Sequence, residues 1–323
     1  MLMSVLLFAV GLVLLIKGGD WFVDGATGIA KRFNLPDIVV GATVVSIGTT
    51  LPEVMVSTTG ALAGSGAMAY GNAIGSIICN TALIAAISIT CNPGPVNVKS
   101  MKTPAIFFFA SAAMYCVAAY ALGTFPRWLG FVMLSVFVVY MVLTVRNGMK
   151  NPDAVEEEEE DSKSRKLWQE LLLLVVGAAV IAVGADLLVD HGQVIALGLG
   201  VPETVVALLF VALGTSLPEL VTTITSLKKG RASLGVGNVI GANVFNLVLV
   251  SGVAVSLAPF AVPCENTLLD TGLNLSLVFD IPVMLGVMSL MIFPALLTKK
   301  LGRWQGILLL CIYAAFCVCQ FML

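Results

Sequence analysis

Windows of about 18 to 22 residues that are almost free of charge recur along the whole of this chain, and that is the length of helix a bilayer demands. Only 11% of the 323 residues are charged and 59% are hydrophobic, with mean hydropathy +1.02, so the charge is roughly half that of a soluble domain. In hydrocarbon every backbone amide must find its partner inside the protein, which leaves helical bundles and closed barrels. A barrel needs steady apolar–polar alternation, and this chain does not alternate. The sequence therefore predicts an all-α integral membrane protein. The apolar run at 2–16 has no basic flank and no clear cleavage site, and reads as a first span rather than a removed signal.

Hydropathy and Gly/Pro/charge punctuation predict ten transmembrane helices, at 3–30, 37–62, 68–91, 104–121, 126–146, 168–192, 203–227, 232–258, 276–297 and 304–321. Of the 17 basic residues, Lys17 lies within the first span and only Arg127 follows an even-numbered span; the rest sit in loops after odd-numbered ones. The positive-inside rule then puts the odd loops in the cytoplasm and both termini outside. Residues 147–166 form the one clear linker, on the cytoplasmic side, and carry EEEEED at 156–161. A solvated connector explains them, since the oxygen spacing and glycine turn of an EF-hand loop are missing. Short loops fit a bacterial inner (plasma) membrane. The net charge of −2 and the lack of a basic patch give no sign of a nucleic-acid partner. The seven cysteines form no CxxC pair and read as small buried apolar residues, and the single His191 cannot build a zinc site.

GTTLPEVMVSTT at 48–59 returns as GTSLPELVTTIT at 214–225, an offset of 166 residues. At this offset about a third of positions 20–80 are identical without a gap, including Asp20 with Asp186, Asp24 with Asp190, Pro36 with Pro202 and Asn80 with Asn246. Each half holds five spans, an odd number, so the second half enters the membrane in the opposite sense. The expected architecture is two inverted-topology five-helix repeats: 1–146, the acidic linker 147–166, and 167–323, forming one membrane domain.

Pro52 and Pro218 lack an amide hydrogen and cannot bond the carbonyls of Gly48 and Gly214, so a helix break is expected at each motif. A broken membrane helix needs something else to satisfy the freed backbone, and a cation is one candidate. The carbonyls of Ser46 and Ala212 are further oxygen donors there. Thr49, Thr50 and Glu53 share a helical face by their spacing, as do Thr215, Ser216 and Glu219. Asn72, Ser76 and Asn80 recur every fourth residue, matched by Asn238, Ala242 and Asn246, while glycines at 71, 75, 237 and 241 permit close helix approach. Carboxylate, hydroxyl, amide and carbonyl oxygens form a hard ligand set, suited to calcium or sodium. Small polar residues are also common glue in membrane bundles, but two in-register intramembrane glutamates beside prolines call for a positively charged guest. Asp20, Asp24, Asp186 and Asp190 leave a water-facing or gating role open beside a structural one. Lys17 reads as paired or snorkelling, and His191 as structural or solvated.

GTTLPE…GNAIGSIICN and GTSLPEL…GNVIGANVFN resemble the paired alpha-repeats of the sodium/calcium exchanger family, of prokaryotic type, within the cation/calcium antiporter superfamily. The resemblance implies ten helices around one calcium site flanked by sodium sites. Glu53 and Glu219 would be the main calcium ligands, with Thr49 and Thr215 adding oxygens. Thr50, Ser216, Ser76 and Asn80 would help bind sodium, and the helix 1 and helix 6 pair would slide against the core. Ala242 stands where the serine matching Ser76 is expected, Asn246 where several relatives carry aspartate, and Ile77 where asparagine is frequent. The expected activity is antiport of sodium against calcium by alternating access, with calcium and sodium as transported ions, no cofactor and no enzymatic chemistry, in a monomer. A proton-coupled antiporter and a cation channel are the rival readings.

Overall fold

The computed structural model describes residues 2–150, 165–198, 214–263 and 274–322. Its helices are α1 (Leu2–Arg32), α2 (Asp37–Thr49), α3 (Leu51–Leu62), α4 (Gly66–Cys91), α5 (Val98–Leu122), α6 (Arg127–Met149), α7 (Leu167–Gly198), α8 (Leu217–Lys228), α9 (Ala232–Leu257), α10 (Ser276–Thr298) and α11 (Arg303–Met322). Among the described residues eight helices are long and apolar enough to cross a bilayer, or nine when α2 and α3, bent by 46° at their junction, count as one span. The first part of the seventh expected span, 203–213, lies outside the described residues.

Burial sorts the helices by depth. The apolar windows of α4 and α9 are 72% and 83% buried, against 17–28% for α1, α6, α7 and α11, so α4 and α9 form the centre and the others face outward. Exposed Leu, Val, Ile, Phe and Trp side chains cover α1, α6, α7 and α11, as lipid contact requires and water would not tolerate. Inside, Tyr70, Tyr115, Phe125 and Phe260 stack in an aromatic cluster under one end of the bundle. Tyr140 on α6 donates to the Ala42 carbonyl at 2.7 Å, supplying a partner in the π-helical turn Gly41–Val45 within α2.

Two close approaches position the rest. α2 and α9 run parallel with backbones nearly touching: a Cβ on Gly237 would collide with the Ile38 backbone, and one on Gly241 with Ala42 and the Ser46 hydroxyl. α1 and α7 run antiparallel along Gly11, Gly18 and Gly25 on one helix and Gly177 and Gly184 on the other. That seven-residue period keeps the small residues on a single seam. The pair rests on α8 and α2, where Phe22 fills the space beside Gly48 and Thr225 the space beside Gly19. Gly71 and Gly75 meet nothing among the described residues.

Short antiparallel strand pairs tie the loops. β1 (Gly94–Pro95) pairs with β4 (Lys300–Leu301), and β2 (Thr124–Phe125) with β3 (Phe260–Ala261). At the end carrying the loop after α8, Lys229 reaches Asp24 on α1 at 2.7 Å and Asp20 at 3.6 Å, and buried Arg231 pairs with buried Asp37 at 3.0 Å. Asp186 and Asp190 are exposed, as is Lys17. The expectation of buried cysteines holds only for Cys79: Cys91 and Cys311 are exposed and Cys116, Cys317 and Cys319 half-buried. A thiol is apolar enough to sit on a lipid-facing surface. Cys264 lies outside the described residues.

Candidate functional site

The two motif copies adopt one backbone. α2 stops at Thr49, Thr50 takes φ −87°, ψ −1°, and α3 starts at Leu51 with Pro52 in its first turn. Ser216 takes φ −90°, ψ 4°, and α8 starts at Leu217 with Pro218 in its first turn. Proline suits that place because its φ is helical and the first-turn amide has no acceptor to lose, yet it cannot continue the helix before it. Thr-x-x-Glu and Ser-x-x-Glu also read as capping boxes. Neither caps: Thr50 and Ser216 make no cap hydrogen bond, and their hydroxyls are buried without partners, like all four carboxylate oxygens of Glu53 and Glu219. The helix ends keep their positive dipole turned toward the acids, and the side chains are not spent on capping.

α4 and α9 add a second matched pair. Asn80 opens the π-helical turn Asn80–Ala85 and Asn246 opens Asn246–Val250. Both are fully buried, and both atoms of each amide lack partners. π-turns disturb the regular ladder and recur at functional sites. α8 packs on the Asn80 turn and α3 on the Asn246 turn.

Hydrogen bonds stitch the halves together around these groups. Asn238 Oδ1 accepts from Thr49 at 3.1 Å and from Ser46 at 3.2 Å. Asn72 donates to the Glu53 carbonyl at 3.2 Å and to Ser57 at 2.8 Å, and accepts from Thr215 at 3.4 Å. The fully buried carboxylates of Glu53 and Glu219 lie close enough for one charge to act on the other. Glu219 also faces the hydroxyls of Thr49 and Thr50.

Of the expected site residues, Glu53, Glu219, Thr49 and Thr50 therefore gather in one buried cluster, with Ser216 in the first turn of the helix that carries Glu219. Ser76 is buried on α4, one turn before Asn80, and Thr215 is half-buried beside Asn72. The Ser46 carbonyl accepts the Thr50 amide at 3.0 Å, so it is not freed by the break. Ala212 lies outside the described residues. Orphaned buried polar atoms are scarce in folded proteins and costly; here they converge. No group of three or more His, Cys, Asp or Glu among the described residues could hold a metal, so a cation here would draw on hydroxyl, amide and carbonyl oxygens besides the two acids.

Sequence reasoning missed three polar features. Asn243 donates to Thr81 at 2.7 Å beside Met288; its only signal was the mismatch with Ile77 in the repeat. Asp280 in α10 accepts from Gln320 at 2.7 Å, and a carboxylate inside an expected span was a visible cue. The Arg231–Asp37 pair joins the residue before α9 to the first residue of α2, far apart in sequence, and nothing local announces it.

The whole chain matches proteins of known kind. The family model for sodium/calcium exchanger proteins matches residues 3–146 and 170–322. An uncharacterized membrane protein of Methanocaldococcus jannaschii is 34% identical over 309 residues, 95% of this chain and 94% of its own length. The sodium/calcium exchanger MaX1 of Methanosarcina acetivorans is 29% identical, covering 98% of both chains. A structure of the sodium-calcium exchanger NCX_Mj, soaked with 2.5 mM Na+ and 10 mM Sr2+, superposes with a TM-score of 0.81 at 33% identity over 97% of both chains. With both motif copies inside the matched segments, the chain belongs to the sodium/calcium exchanger protein family.

Proposed function

We propose that this protein exchanges sodium for calcium across its membrane by alternating access, with Glu53 and Glu219 as the main calcium ligands. The observation that carries this reading is the pair of fully buried carboxylates, electrostatically in reach of each other and with no basic side chain paired to either among the described residues. Two such charges repel strongly in a low dielectric and are costly to strand there. One divalent or two monovalent cations would offset both. Thr49 and Thr215 would add oxygens to calcium. Thr50, Ser216, Ser76 and Asn80 would serve sodium, with Asn246, the second lone pair of the Ser46 carbonyl and the Ala212 carbonyl completing the set.

Calcium and sodium would then compete for the same oxygens, linking the entry of one to the exit of the other. An empty site holds two uncompensated charges and resists crossing the membrane interior, which favours exchange over leak. MaX1 and NCX_Mj are both named sodium/calcium exchangers, and the likeness over the full chain supports sodium as the coupling ion. The reading includes ten spans as two inverted repeats, 1–146 and 167–323, joined by the cytoplasmic linker 147–166 in a plasma membrane, with the α1–α7 pair as the sliding part.

The test is labelled-calcium uptake into vesicles under imposed gradients. A sodium gradient directed out of the vesicle drives calcium in; proton or potassium gradients of the same size do not. Uptake driven by protons alone would make this a proton-coupled antiporter, and calcium flux without any counter-ion would make it a channel.

A further inference from the structure

Among the expected site residues, two matched positions carry a hydroxyl in only one half. Ser46 stands where the second half carries Ala212, and Ser76 where it carries Ala242. The broken helix of each half bonds to the straight helix of the other: Ser46 and Thr49 to Asn238 on α9, and Thr215 to Asn72 on α4. Ser46 and Ala242 therefore line one half-site, which keeps one serine, on the wall of the broken helix.

We infer that the Ser46 hydroxyl replaces the side-chain oxygen missing at Ala242 and is a sodium ligand of that half-site. The inference rests on the sodium/calcium reading above. Ser46 is fully buried, and its Oγ lies so close to Gly241 that a Cβ there would collide with it, one residue before Ala242. Its Oγ lies 2.8 Å from the Gly41 carbonyl, 3.0 Å from the Asn238 carbonyl and 3.2 Å from Asn238 Oδ1, three acceptors among which its one O–H is shared. The hydroxyl proton thus points into protein acceptors, and the oxygen keeps lone pairs for a cation. The Thr50 amide bonds the Ser46 carbonyl at 3.0 Å, which is the i to i+4 spacing that stacks the two side chains on one face. On that face Thr50 Oγ1 and both Glu53 oxygens are buried and unpartnered. Ser46, Thr50 and Glu53 make a row of three oxygen donors, and Ala242 on the facing wall adds none.

The experiment is a substitution cycle read by sodium dependence. Calcium uptake in vesicles is measured against sodium concentration for the wild type, Ser46→Ala, Ala242→Ser and the double variant. Ser46→Ala raises the half-saturating sodium concentration about fivefold, the effect of removing one neutral oxygen partner from a buried site. Adding Ala242→Ser returns the sodium value to within about twofold of wild type, the margin within which independent sites add. Ser46→Cys keeps the size but offers a soft sulfur that sodium disfavours, and shifts the sodium dependence as Ser46→Ala does. It decides the matter if Ser46→Ala fails to fold.

Wild-type sodium dependence in Ser46→Ala or in Ser46→Cys overturns the inference. So does a double variant no better than Ser46→Ala, because a serine needed only to hold Asn238 cannot be replaced by a hydroxyl at 242. Glu53→Gln separates the two levels. If it retains sodium-driven uptake, Glu53 is not a main calcium ligand, and if wild-type uptake needs no sodium gradient the exchange reading itself fails; if Glu53→Gln is inactive while Ser46→Ala is neutral, only the role of Ser46 falls.

Discussion

At Glu53 and Glu219 the protein keeps two fully buried carboxylates with no basic side chain paired to either among the described residues. Glutamine is nearly isosteric and removes one charge, so Glu53→Gln and Glu219→Gln each lower calcium uptake by at least about 100-fold, the scale of losing a buried charged partner. In a calcium chelator both variants melt no lower than the wild type, because one repelling charge is gone. Wild-type uptake in either would remove that residue from the site, and a melt well below wild type would show that the fold, not the cation, needs the charge. The Arg231–Asp37 pair behaves oppositely, since both charges are buried and matched. Arg231→Met leaves Asp37 stranded and lowers stability by about 3–5 kcal/mol, with most of the loss recovered when Asp37→Leu is added. Unfolding of the purified protein in detergent measures both. The paired acids were legible in the sequence because they repeat in register; the Arg231 pair was not, because an ion pair between the starts of two distant helices leaves no periodic trace.

The broken helices show how one short motif builds half a site. The proline dictates where α3 and α8 begin, and the glutamate falls in the first turn of each. What holds the pieces at the right distance is the glycine contact between α2 and α9. Gly237→Ala forces a methyl into the Ile38 backbone, which has no side chain to move aside. It lowers stability by about 1–3 kcal/mol and weakens calcium binding as well, because Asn238 follows directly and carries the bonds to Ser46 and Thr49. Melting temperature and calcium titration of the same preparation check both effects, and an unchanged melt would mean the helices can separate freely. GxxxG spacing forecast close approach here, but it could not say which helix comes close. That the partner is α2 of the opposite half is a property of packing.

On the scale of the whole molecule, the strand pairs place the loops after α4 and α10 at one end of the bundle, and those after α5 and α9 together. The span count requires the same grouping, since in each pair the two loops follow spans of equal parity. With ten spans both termini share a face and the linker 147–166 lies on the other. Epitope tags at the two ends are therefore reached from outside intact cells, and a tag in the linker only after permeabilisation; a linker tag reached from outside would refute the topology. The amino-acid sequence by itself determined that the chain crosses a membrane as helices, where most of them start and stop, and that two acidic motifs recur, because hydropathy, proline and repetition are local or periodic signals. Only the tertiary structure decided that Thr50, Ser216, Asn80 and Asn246 stay unpartnered while Asn72 and Asn238 are occupied, and that Ser46 faces the wall carrying Ala242. A polar group's state depends on which neighbour arrives opposite it, and helices distant in the chain choose that neighbour when they pack.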